Sequence, residues 1–397
     1  MFSKLIIYLS VNKKICTLLC NKQIFIKFIG LFYRKYTTFN METIKSTNLT
    51  VGVPGPDLLQ NCLEIGKNLI HYEEEKKEGK YYLFQYALHG LQLLLNTILS
   101  PNGIIFVEEV TYMTALDAFR QFPLMKIVAD EFEKMIVEEK RNGNFLTNEQ
   151  KIFWAMFYTI PTFHYPTGST LPPDKLQLIP RKSSILIACD DIYNLLYYGD
   201  GLPPHRLFCY DKQTDPEYKA GNIVSNGSFS KIFSPAFRFG WIECSPRITK
   251  IFRLSRILCN GGAVNHYVSG VVTSLLQLNL QSNYLDKLTQ IYKEQLSILS
   301  NVLDYYLPRC CSYKKPEGGY FVWIHLPLEI NAADFIQWCQ KKYKVSAIPG
   351  ILFSYSGKSH NYLRLSISFH RKEVLKTATK SLCEALLNYV RKNIDYK

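Results

Sequence analysis

The sequence lacks the cysteine and histidine patterns of disulfide-bonded and metal-binding proteins. Its 11 cysteines are odd in number and scattered, and none forms a paired CxxC array. Its 8 histidines show no metal-ligand spacing. A disulfide framework and a metal site are therefore both disfavoured, and a reducing compartment is the natural expectation.

Residues 1–40 lack acidic side chains and long uncharged runs. They hold seven basic side chains, and no uncharged stretch among them reaches the ~20 residues that a membrane span needs. We therefore expect no membrane association. The basic composition suits a mitochondrial presequence. The alternatives are a disordered tail, or sequence upstream of a start at Met41, which would make the protein cytoplasmic.

The remainder of the chain lacks a basic stripe interleaved with aromatic residues. The net charge is +14, and residues 1–40 contribute half of it. A nucleic-acid partner is therefore not expected. The composition, 47% hydrophobic and 14% aromatic, is that of a globular protein with one large or two medium domains.

Short apolar runs separated by helix-like stretches indicate a parallel sheet. The runs are Ile104–Val107, Trp154–Ile160, Ile185–Cys189 and Asn222–Ser225. Each is short and ends in polar or glycine-containing sequence, which is typical of buried strands in a βαβ architecture. Because chemistry in such sheets gathers at the carboxyl ends of strands, the residues that follow each run are the candidates for a site.

A stripe of apolar residues at spacings of three and four predicts a long helix over 284–307. Ser282 or Asn283 is the expected N-cap and Pro308 the expected end.

Two further strands and a last helix follow the long helix. The segments GGYFVWI (318–324) and YLRLSISF (362–369) are predicted strands, and the tail from Lys372 is a predicted helix. The second half of the chain therefore predicts an α+β domain.

The segment Gly227–Trp241, GSFSKIFSPAFRFGW, is the most informative in the chain. Its lysine follows a strand and two serines, with Pro235 four and Arg238 seven positions later. It resembles the cofactor segment of class I/II aminotransferases of fold type I, commonly S-F-S-K-x-x-x-P-G-x-R-x-G-W. Ala236 stands where that pattern has a glycine.

The resemblance implies a pyridoxal 5'-phosphate (PLP) enzyme with an α/β fold. A mostly parallel sheet flanked by helices would form the large domain, and a smaller C-terminal α+β domain would follow. Lys231 would form an imine with the cofactor aldehyde and move the α-proton of the substrate. Ser228, Ser230 and Arg238 would bind the phosphate, the arginine through its planar fork of donors.

The segment ILIACDDIY (185–193) supplies two further positions of the family pattern. The resemblance assigns Asp190 to the pyridine nitrogen of PLP and Tyr193 to its 3-oxygen. A carboxylate there keeps the nitrogen protonated, so that the ring can accept electrons. Asp191 is expected to cap a helix.

Two segments supply aromatic positions. YTIPTFHYPTG (158–168) resembles P-T-x-x-N-P-T-G, and Tyr165 replaces the asparagine that bonds the 3-oxygen in relatives. EEVTY (108–112) resembles E-x-P-T-Y, so that Tyr112 would stack on the cofactor ring.

Arg364 and Gly52 are the candidate substrate-binding residues. An arginine in an otherwise apolar strand needs an anionic partner. The resemblance matches Arg364 to the residue that grips the substrate α-carboxylate. Gly52, in VGVPGP, would let the backbone approach the same carboxylate.

The resemblance breaks between Tyr86 and Ala87. LFQY (83–86) resembles a segment whose tyrosine reaches the phosphate of the partner subunit. ALHGLQLLL (87–95) resembles the helix whose N–H groups cup the phosphate in its own subunit. In relatives a long stretch separates the two. Here they are fused, so we expect the arm helix, a glycine turn and the first sheet strand to be lost, and PLP binding to be weak.

The resemblance also divides the chain into four parts. They are a basic leader at 1–40, an N-terminal arm with part of the small domain at 41–86, a large PLP-binding domain at 87–283 and a small C-terminal domain at 284–397.

The implied function is transamination between an L-amino acid and a 2-oxo acid by a homodimer. The motifs are most similar to the branch of 2-aminoadipate and valine–pyruvate aminotransferases. The alternatives are a truncated or non-catalytic homologue with impaired PLP binding, and a PLP-dependent lyase, which needs no oxo-acid acceptor. A transcription regulator is disfavoured, because residues 1–48 show no helix-turn-helix pattern.

Overall fold

The structure is a computed structural model of the 397-residue chain. It describes residues 47–50, 52–54, 58, 82–84, 87–129, 143, 145–172, 185–211, 221–255, 258 and 265–394. The basic leader, Met41 and Tyr86 therefore lie outside the described residues.

Thirteen strands and seven helices are present in the described part of the chain. The strands are β1 (Thr47–Asn48), β2 (Tyr82–Phe84), β3 (Leu99–Val107), β4 (Lys126–Val128), β5 (Phe153–Thr159), β6 (Leu186–Asp190), β7 (Ile223–Ser228), β8 (Gly240–Glu243), β9 (Ser312–Tyr313), β10 (Phe321–His325), β11 (Val345–Ser346), β12 (Ile348–Pro349) and β13 (Tyr362–Ser366). The helices are α1 (Ala87–Thr97), α2 (Met113–Arg120), α3 (Pro246–Leu254), α4 (His266–Gln277), α5 (Leu280–Tyr306), α6 (Ala332–Tyr343) and α7 (Lys372–Ile394).

Seven strands form the large sheet, in the order β2-β8-β7-β6-β5-β3-β4. The pairs from β4 through β3, β5 and β6 to β7 are all parallel, whereas β8 runs antiparallel to β7. Strands β6 and β7 are buried along their whole length, because helices and loops cover both faces of the sheet. All four strands predicted from apolar runs are present, and the α/β prediction is confirmed.

A second, antiparallel sheet follows in the C-terminal part, in the order β12-β13-β10-β9. The short strand β1 pairs in parallel with β11. The predicted strands at 318–324 and 362–369 are present as β10 and β13, and the predicted helix begins at Lys372. The α+β character of this part is confirmed.

The long helix α5 begins earlier than predicted. It starts at Leu280, so Ser282 lies inside the helix and the expected cap is wrong. A tertiary contact explains the earlier start of the helix. The side-chain amide of Gln281 is buried and donates to the carbonyl oxygen of Ile232 at 2.7 Å, which holds an additional turn against the large sheet's loops.

The expected loss of the first sheet strand is wrong as well. Residues 82–84 form β2, which pairs antiparallel with the outer edge of β8, with Tyr82 opposite Ile242 and Phe84 opposite Gly240. Helix α1 begins at Ala87, directly after this strand. The shortened segment therefore still supplies an edge strand and the helix that follows it.

Neither a membrane span nor a metal cluster occurs in the described residues. None of their helices combines the length and apolar character needed to cross a bilayer. No three histidine, cysteine, aspartate or glutamate side chains of the same residues converge as metal ligands.

Candidate active site

Neighbouring parallel strands bring Asp190 and Lys231 to one edge of the large sheet. Asp190 is the last residue of β6 and pairs with Asn226 of β7. Lys231 lies in the turn that follows β7, before the chain returns as β8. The two side chains are close enough for the carboxylate to favour the charged form of the lysine. This is the edge where parallel sheets place their chemistry.

The carboxylate of Asp190 is 5% exposed and hydrogen-bonded on both oxygens. The Tyr158 hydroxyl donates to Oδ2 at 2.8 Å, and Asn226 Nδ2 donates to Oδ1 at 3.2 Å. Burial raises the pKa of Asp190 to about 6, and the bond from Tyr158 opposes that rise. Asp190 is therefore ionised at neutral pH and suited to a cationic partner.

Asn226 also reaches the start of α1. Its Nδ2 donates to the carbonyl oxygen of Ala87 at 2.8 Å. A Cβ on Gly90, one turn along that helix, would lie 2.6 Å from Asn226 Oδ1, so that only glycine leaves room. Asn226 thus ties the N-terminus of α1 to Asp190.

The amine of Lys231 is held by backbone and by an aromatic ring. Its Nζ donates to the carbonyl oxygen of Gly52 at 2.6 Å and lies 5.9 Å from the centroid of the Tyr320 ring. The Tyr320 hydroxyl donates to the Lys231 carbonyl oxygen at 2.6 Å. Burial, and then the positive charges of Arg238 and Arg364, lower the pKa of Lys231 to about 8. A fraction of the Lys231 amine is therefore neutral near pH 7, and the neutral amine is the form that attacks an aldehyde.

Two serine hydroxyls lie near the lysine, at the end of β7. The backbone N–H of Ser230 donates to Ser228 Oγ at 3.2 Å, and Ser228 Oγ donates to the Phe239 carbonyl oxygen at 3.4 Å. The buried Ser230 Oγ has no hydrogen-bond partner among the described residues. The side chain of Arg238 is exposed, and its Nη1 lies 3.5 Å from the Pro235 carbonyl oxygen.

Tyrosines and phenylalanines fill the space between the two sheets. Tyr193 is buried, with its ring centroid 5.4 Å from that of Tyr320 and 5.6 Å from that of Phe321. Tyr112 meets Tyr165 edge-on at 4.9 Å. Burial raises the pKa of Tyr193 well above its usual range and also raises the pKa of Tyr112. Both phenols therefore keep their protons.

Arg364 lies on β13, opposite Trp323 of β10, and is 1% exposed. Its Nη1 donates to the Tyr165 hydroxyl at 2.8 Å, and its Nη2 donates to the Thr50 carbonyl oxygen. Its Nε has no partner in the described part of the chain, and no described carboxylate lies within ion-pair distance of it. The Phe321 ring lies 4.5 Å from the guanidinium carbon. A buried cation of this kind is suited to an anionic ligand.

The chain is similar in sequence to aminotransferases over about three quarters of its length. No family model matches it. It is 28% identical to an uncharacterised aminotransferase of Saccharolobus solfataricus over 75% of this chain and 73% of the relative. It is 28% identical to aromatic-amino-acid aminotransferase 1 of Thermococcus litoralis over 76% of this chain and 71% of the relative. The HTH-type transcriptional regulator NorG of Staphylococcus aureus matches at 27% identity, over 74% of this chain and 63% of its own length.

Solved structures with the same fold include a kynurenine aminotransferase of Pyrococcus horikoshii in complex with PMP. Its TM-score is 0.74 at 21% identity, over 90% of this chain and 94% of that one. The α-aminoadipate aminotransferase LysN of Thermus thermophilus has a TM-score of 0.71 at 20% identity, over 87% and 93% of the two chains. At these identities the structural likeness shows the fold alone.

The chain resembles aminotransferases in sequence and has the fold of the PLP fold type I aminotransferases. Aminotransferases of this fold use pyridoxal phosphate. The residues of the site fit that cofactor. A buried serine hydroxyl without a described partner and the N-terminus of α1, next to β7, suit a phosphate. The ionised Asp190 suits a protonated ring nitrogen, and the depressed pKa of Lys231 suits attack on an aldehyde.

The structure brings most of the residues predicted for the site into one region. Those that lie in this region, each in contact with or next to another residue of the site, are Asp190, Lys231, Ser228, Ser230, Ala87, Tyr112, Tyr165, Tyr193, Arg364 and Gly52. Arg238 lies at the rim and lowers the pKa of Lys231. The individual roles stay predictions, and Tyr86 lies outside the described residues.

The prediction that Asp191 caps a helix is wrong. The residues after it form turns, and no helix starts there in the described chain. Asp191 is buried on the other side of the strand, where the Ser225 hydroxyl donates to its Oδ2 at 2.5 Å. Arg206 donates to the same Ser225 oxygen at 3.2 Å and pairs with Glu243 at 2.5 Å. Alternation along β6 and β7 sends neighbouring polar residues to opposite faces, which explains the difference.

Sequence reasoning missed the polar contacts that join the loops around the site. His164 Nε2 lies 3.1 Å from Glu108 Oε2, so the loop that carries Tyr165 is tied to the loop that carries Tyr112. Glu109 Oε1 accepts from the Ser354 hydroxyl at 2.5 Å and joins the large sheet's loop to the C-terminal part. The only signal in the sequence was two carboxylates directly after a buried strand.

Tyr158 and Asn226 were missed too. Both are polar residues inside apolar strands next to β6, which was a usable signal. A buried polar side chain needs a partner, and the nearest candidate on the neighbouring strand is Asp190.

Proposed function

We propose that this chain is a PLP-dependent aminotransferase that moves an amino group between an L-amino acid and a 2-oxo acid. One observation carries the proposal. A lysine whose pKa is depressed to about 8 lies beside a buried, ionised aspartate at the carboxyl edge of a parallel sheet. This pairing is the chemical core of the aminotransferases that the chain resembles.

Each side chain has a separate task in this proposal. When bound, PLP supplies an aldehyde and a ring that accepts electrons. Lys231 would hold the cofactor through its amine, and the free amine would move a proton at the substrate α-carbon. Asp190 would keep the ring nitrogen protonated, with Tyr158 and Asn226 fixing the two carboxylate oxygens. Arg364 binds the α-carboxylate and thereby orients the substrate.

We propose 2-aminoadipate as the first amino donor to test, with 2-oxoglutarate as acceptor. The structural likeness to an α-aminoadipate aminotransferase supports it. Valine with pyruvate is the second pair, and the aromatic-amino-acid relative adds phenylalanine and tyrosine to the panel. We also propose a homodimer, in mitochondria, or in the cytoplasm if translation starts at Met41.

The short connection between β2 and α1 supports weak PLP binding. The strand ends at Phe84 and the helix begins at Ala87, which leaves two residues for the loop that precedes the phosphate-binding helix terminus. A homologue with impaired PLP binding is therefore the second candidate. A dissociation constant for PLP as low as that of full-length relatives would exclude it.

An absorbance titration with PLP tests the proposal directly. We expect a visible band that depends on the covalent bond between Lys231 and the cofactor, and no such band in Lys231→Ala. Amino-group transfer is then measured with each donor and acceptor pair. Ammonia release without an acceptor would indicate a lyase. Absence of the band at saturating PLP would overturn the proposal.

A further inference from the structure

We infer that Tyr320 and Gln281 are positioning residues for Lys231: their buried side chains hold successive backbone carbonyl oxygens of the lysine turn and thereby fix the place of its amine. The lysine turn is residues 229–234, between the end of β7 and Pro235. The inference rests on the proposed function and deepens it, because it makes the C-terminal part of the chain a component of the lysine's site.

The internal backbone hydrogen bonds of the lysine turn converge on one carbonyl oxygen. The Phe229 oxygen accepts from the backbone N–H groups of Phe233 and Ser234, at 2.9 Å and 3.1 Å. The carbonyl oxygens of Lys231 and Ile232, in the middle of the turn, accept instead from side chains of other elements. A carbonyl oxygen inside a protein needs a donor, so these two contacts orient the peptide groups in the middle of the turn.

Tyr320 meets the lysine both at its backbone and near its amine. This tyrosine is buried directly before β10, its hydroxyl donates to the Lys231 carbonyl oxygen at 2.6 Å, and its ring centroid lies 5.9 Å from Nζ. Since a carbonyl oxygen cannot donate, the single phenolic proton is committed to this bond. The Tyr292 hydroxyl of α5, 3.3 Å away, is therefore the donor to the Tyr320 oxygen. Ring contacts with Tyr292 and Tyr193, at centroid distances of 5.0 Å and 5.4 Å, hold the phenol in place.

Gln281 holds the next carbonyl oxygen from a different element. It is the second residue of α5 and is 1% exposed, and its Nε2 donates to the Ile232 carbonyl oxygen at 2.7 Å. Tyr320 and Gln281 thus reach successive carbonyl oxygens, one from the segment before β10 and the other from α5. Neither peptide group can rotate without leaving a carbonyl oxygen unsatisfied, which is unfavourable inside a protein.

A fixed backbone matters for Lys231 because its amine ends a flexible four-carbon stem. Nζ donates to the Gly52 carbonyl oxygen at 2.6 Å. Burial and the charges of Arg238 and Arg364 lower the pKa of the amine, and the charge of Asp190 raises it. A displaced turn would move the amine relative to all these groups and to the aldehyde that it attacks. Misplacing a reacting group by about 1 Å can cost roughly a hundredfold in rate.

The test compares wild type with two variants. Tyr320→Phe keeps the ring and removes the hydroxyl, and Gln281→Met keeps the length of the side chain and removes the donor. We expect the kcat of amino-group transfer to fall roughly tenfold to hundredfold in each variant. KM should change less, because Arg364 is untouched. Tyr198→Phe is the matched control, since it loses a buried phenol bond of the same kind, to the Gly319 carbonyl oxygen at 2.7 Å, outside the lysine turn.

A second readout does not depend on turnover. It is the pH midpoint at which the cofactor-free protein reacts with PLP, followed by the absorbance band that depends on Lys231. Burial is the largest cause of the lowered pKa of Lys231, and a less firmly held amine spends more time near water. We therefore expect the midpoint to move upwards in Tyr320→Phe and Gln281→Met and to stay unchanged in Tyr198→Phe.

Urea denaturation of the three variants separates positioning from folding, because a purely structural role would lower stability without moving the midpoint. An unchanged midpoint or an unchanged kcat in either folded variant overturns the inference, and so do equal changes in Tyr198→Phe. If one variant fails to fold, the other decides alone. Failure of the proposed function looks different, because wild type itself would then show no band or no amino-group transfer.

Discussion

Asn226 lies between Asp190 and the first residue of α1, and its single amide nitrogen donates to both. The two bonds measure 3.2 Å to Asp190 Oδ1 and 2.8 Å to the Ala87 carbonyl oxygen. One side chain therefore fixes the position of Asp190, the proposed partner of the ring nitrogen, relative to α1, the proposed phosphate-binding helix.

Replacing Asn226 with leucine is predicted to raise the pKa of Asp190 above about 6, because one of the bonds that stabilise its charged form is lost. The acid limb of the transamination rate should move to higher pH, and PLP affinity should fall. The pH dependence of kcat/KM measures the first effect. Asn301→Leu, on the exposed side of α5, is the control. An unchanged acid limb in Asn226→Leu would contradict the prediction.

The Asp190→Asn variant is predicted to be more stable and less active than wild type. The folded-state pKa is about 6, above the ordinary 3.8, so ionised Asp190 destabilises the fold. Below pH 3.8 the carboxyl is protonated in both the folded and the unfolded chain, so the fold keeps its full stability. That stability is lost as the pH rises through 6 and Asp190 ionises in the folded protein. The free energy of unfolding of the variant should therefore exceed that of wild type by up to about 3 kcal/mol at about pH 8, and by much less near pH 4.

Urea denaturation of the cofactor-free proteins at the two pH values measures this difference. Amino-group transfer should fall sharply in the same variant, because the amide cannot keep the ring nitrogen protonated. Equal stability of variant and wild type at the higher pH would show that Asp190 carries no such cost.

The amine of Lys231 is predicted to react with PLP with a pH midpoint near 8, which is where burial and the nearby arginines place its pKa. Only the neutral amine attacks an aldehyde, so the rate should rise with pH and level off above that midpoint. Stopped-flow absorbance between about pH 6 and about pH 10 gives the profile. A midpoint near 10.5, the ordinary value for lysine, would refute the idea that the site depresses its pKa.

The Glu109→Ala variant is predicted to lower the free energy of unfolding by about 1–2 kcal/mol. Glu109 Oε1 accepts from the Ser354 and Ser356 hydroxyls at 2.5 Å and 2.8 Å and from the Ser356 backbone N–H at 3.2 Å. Glu109→Gln keeps an accepting oxygen and should lose less. Thermal unfolding of the two variants beside wild type measures the difference, and a larger loss in the glutamine variant would contradict this account.

The sequence predicted the parts of the fold that depend on local pattern. Continuous apolar runs located the four central strands, because strands buried on both faces have no polar alternation. The sequence did not predict the elements whose positions depend on contacts between residues far apart in the chain. The start of α5 depends on Gln281 meeting Ile232, and the edge strand at 82–84 depends on the open side of β8. Neither partner can be read from the segment itself.

The site was predictable in its residue types but not in its pairings. The lysine, the aspartate and the arginine stand out as charges after or within apolar strands. The contact between Tyr165 and Arg364 joins positions 199 residues apart, so no local pattern reveals it. Tyr158 and Asn226 stand out as polar residues in apolar strands, but their shared partner follows from the strand order, which places them on either side of Asp190.

Strand β2 has a consequence for the solubility of the protein. Without residues 82–84, the outer edge of β8 would present unpaired N–H and C=O groups to solvent, and such an edge is a template for another copy of the same chain. A form of the protein in which these three residues are replaced by glycines should scatter more light at equal concentration. With β2 in place, this side of the seven-stranded sheet ends in a strand of only three residues, and a short edge strand is a poor template for pairing.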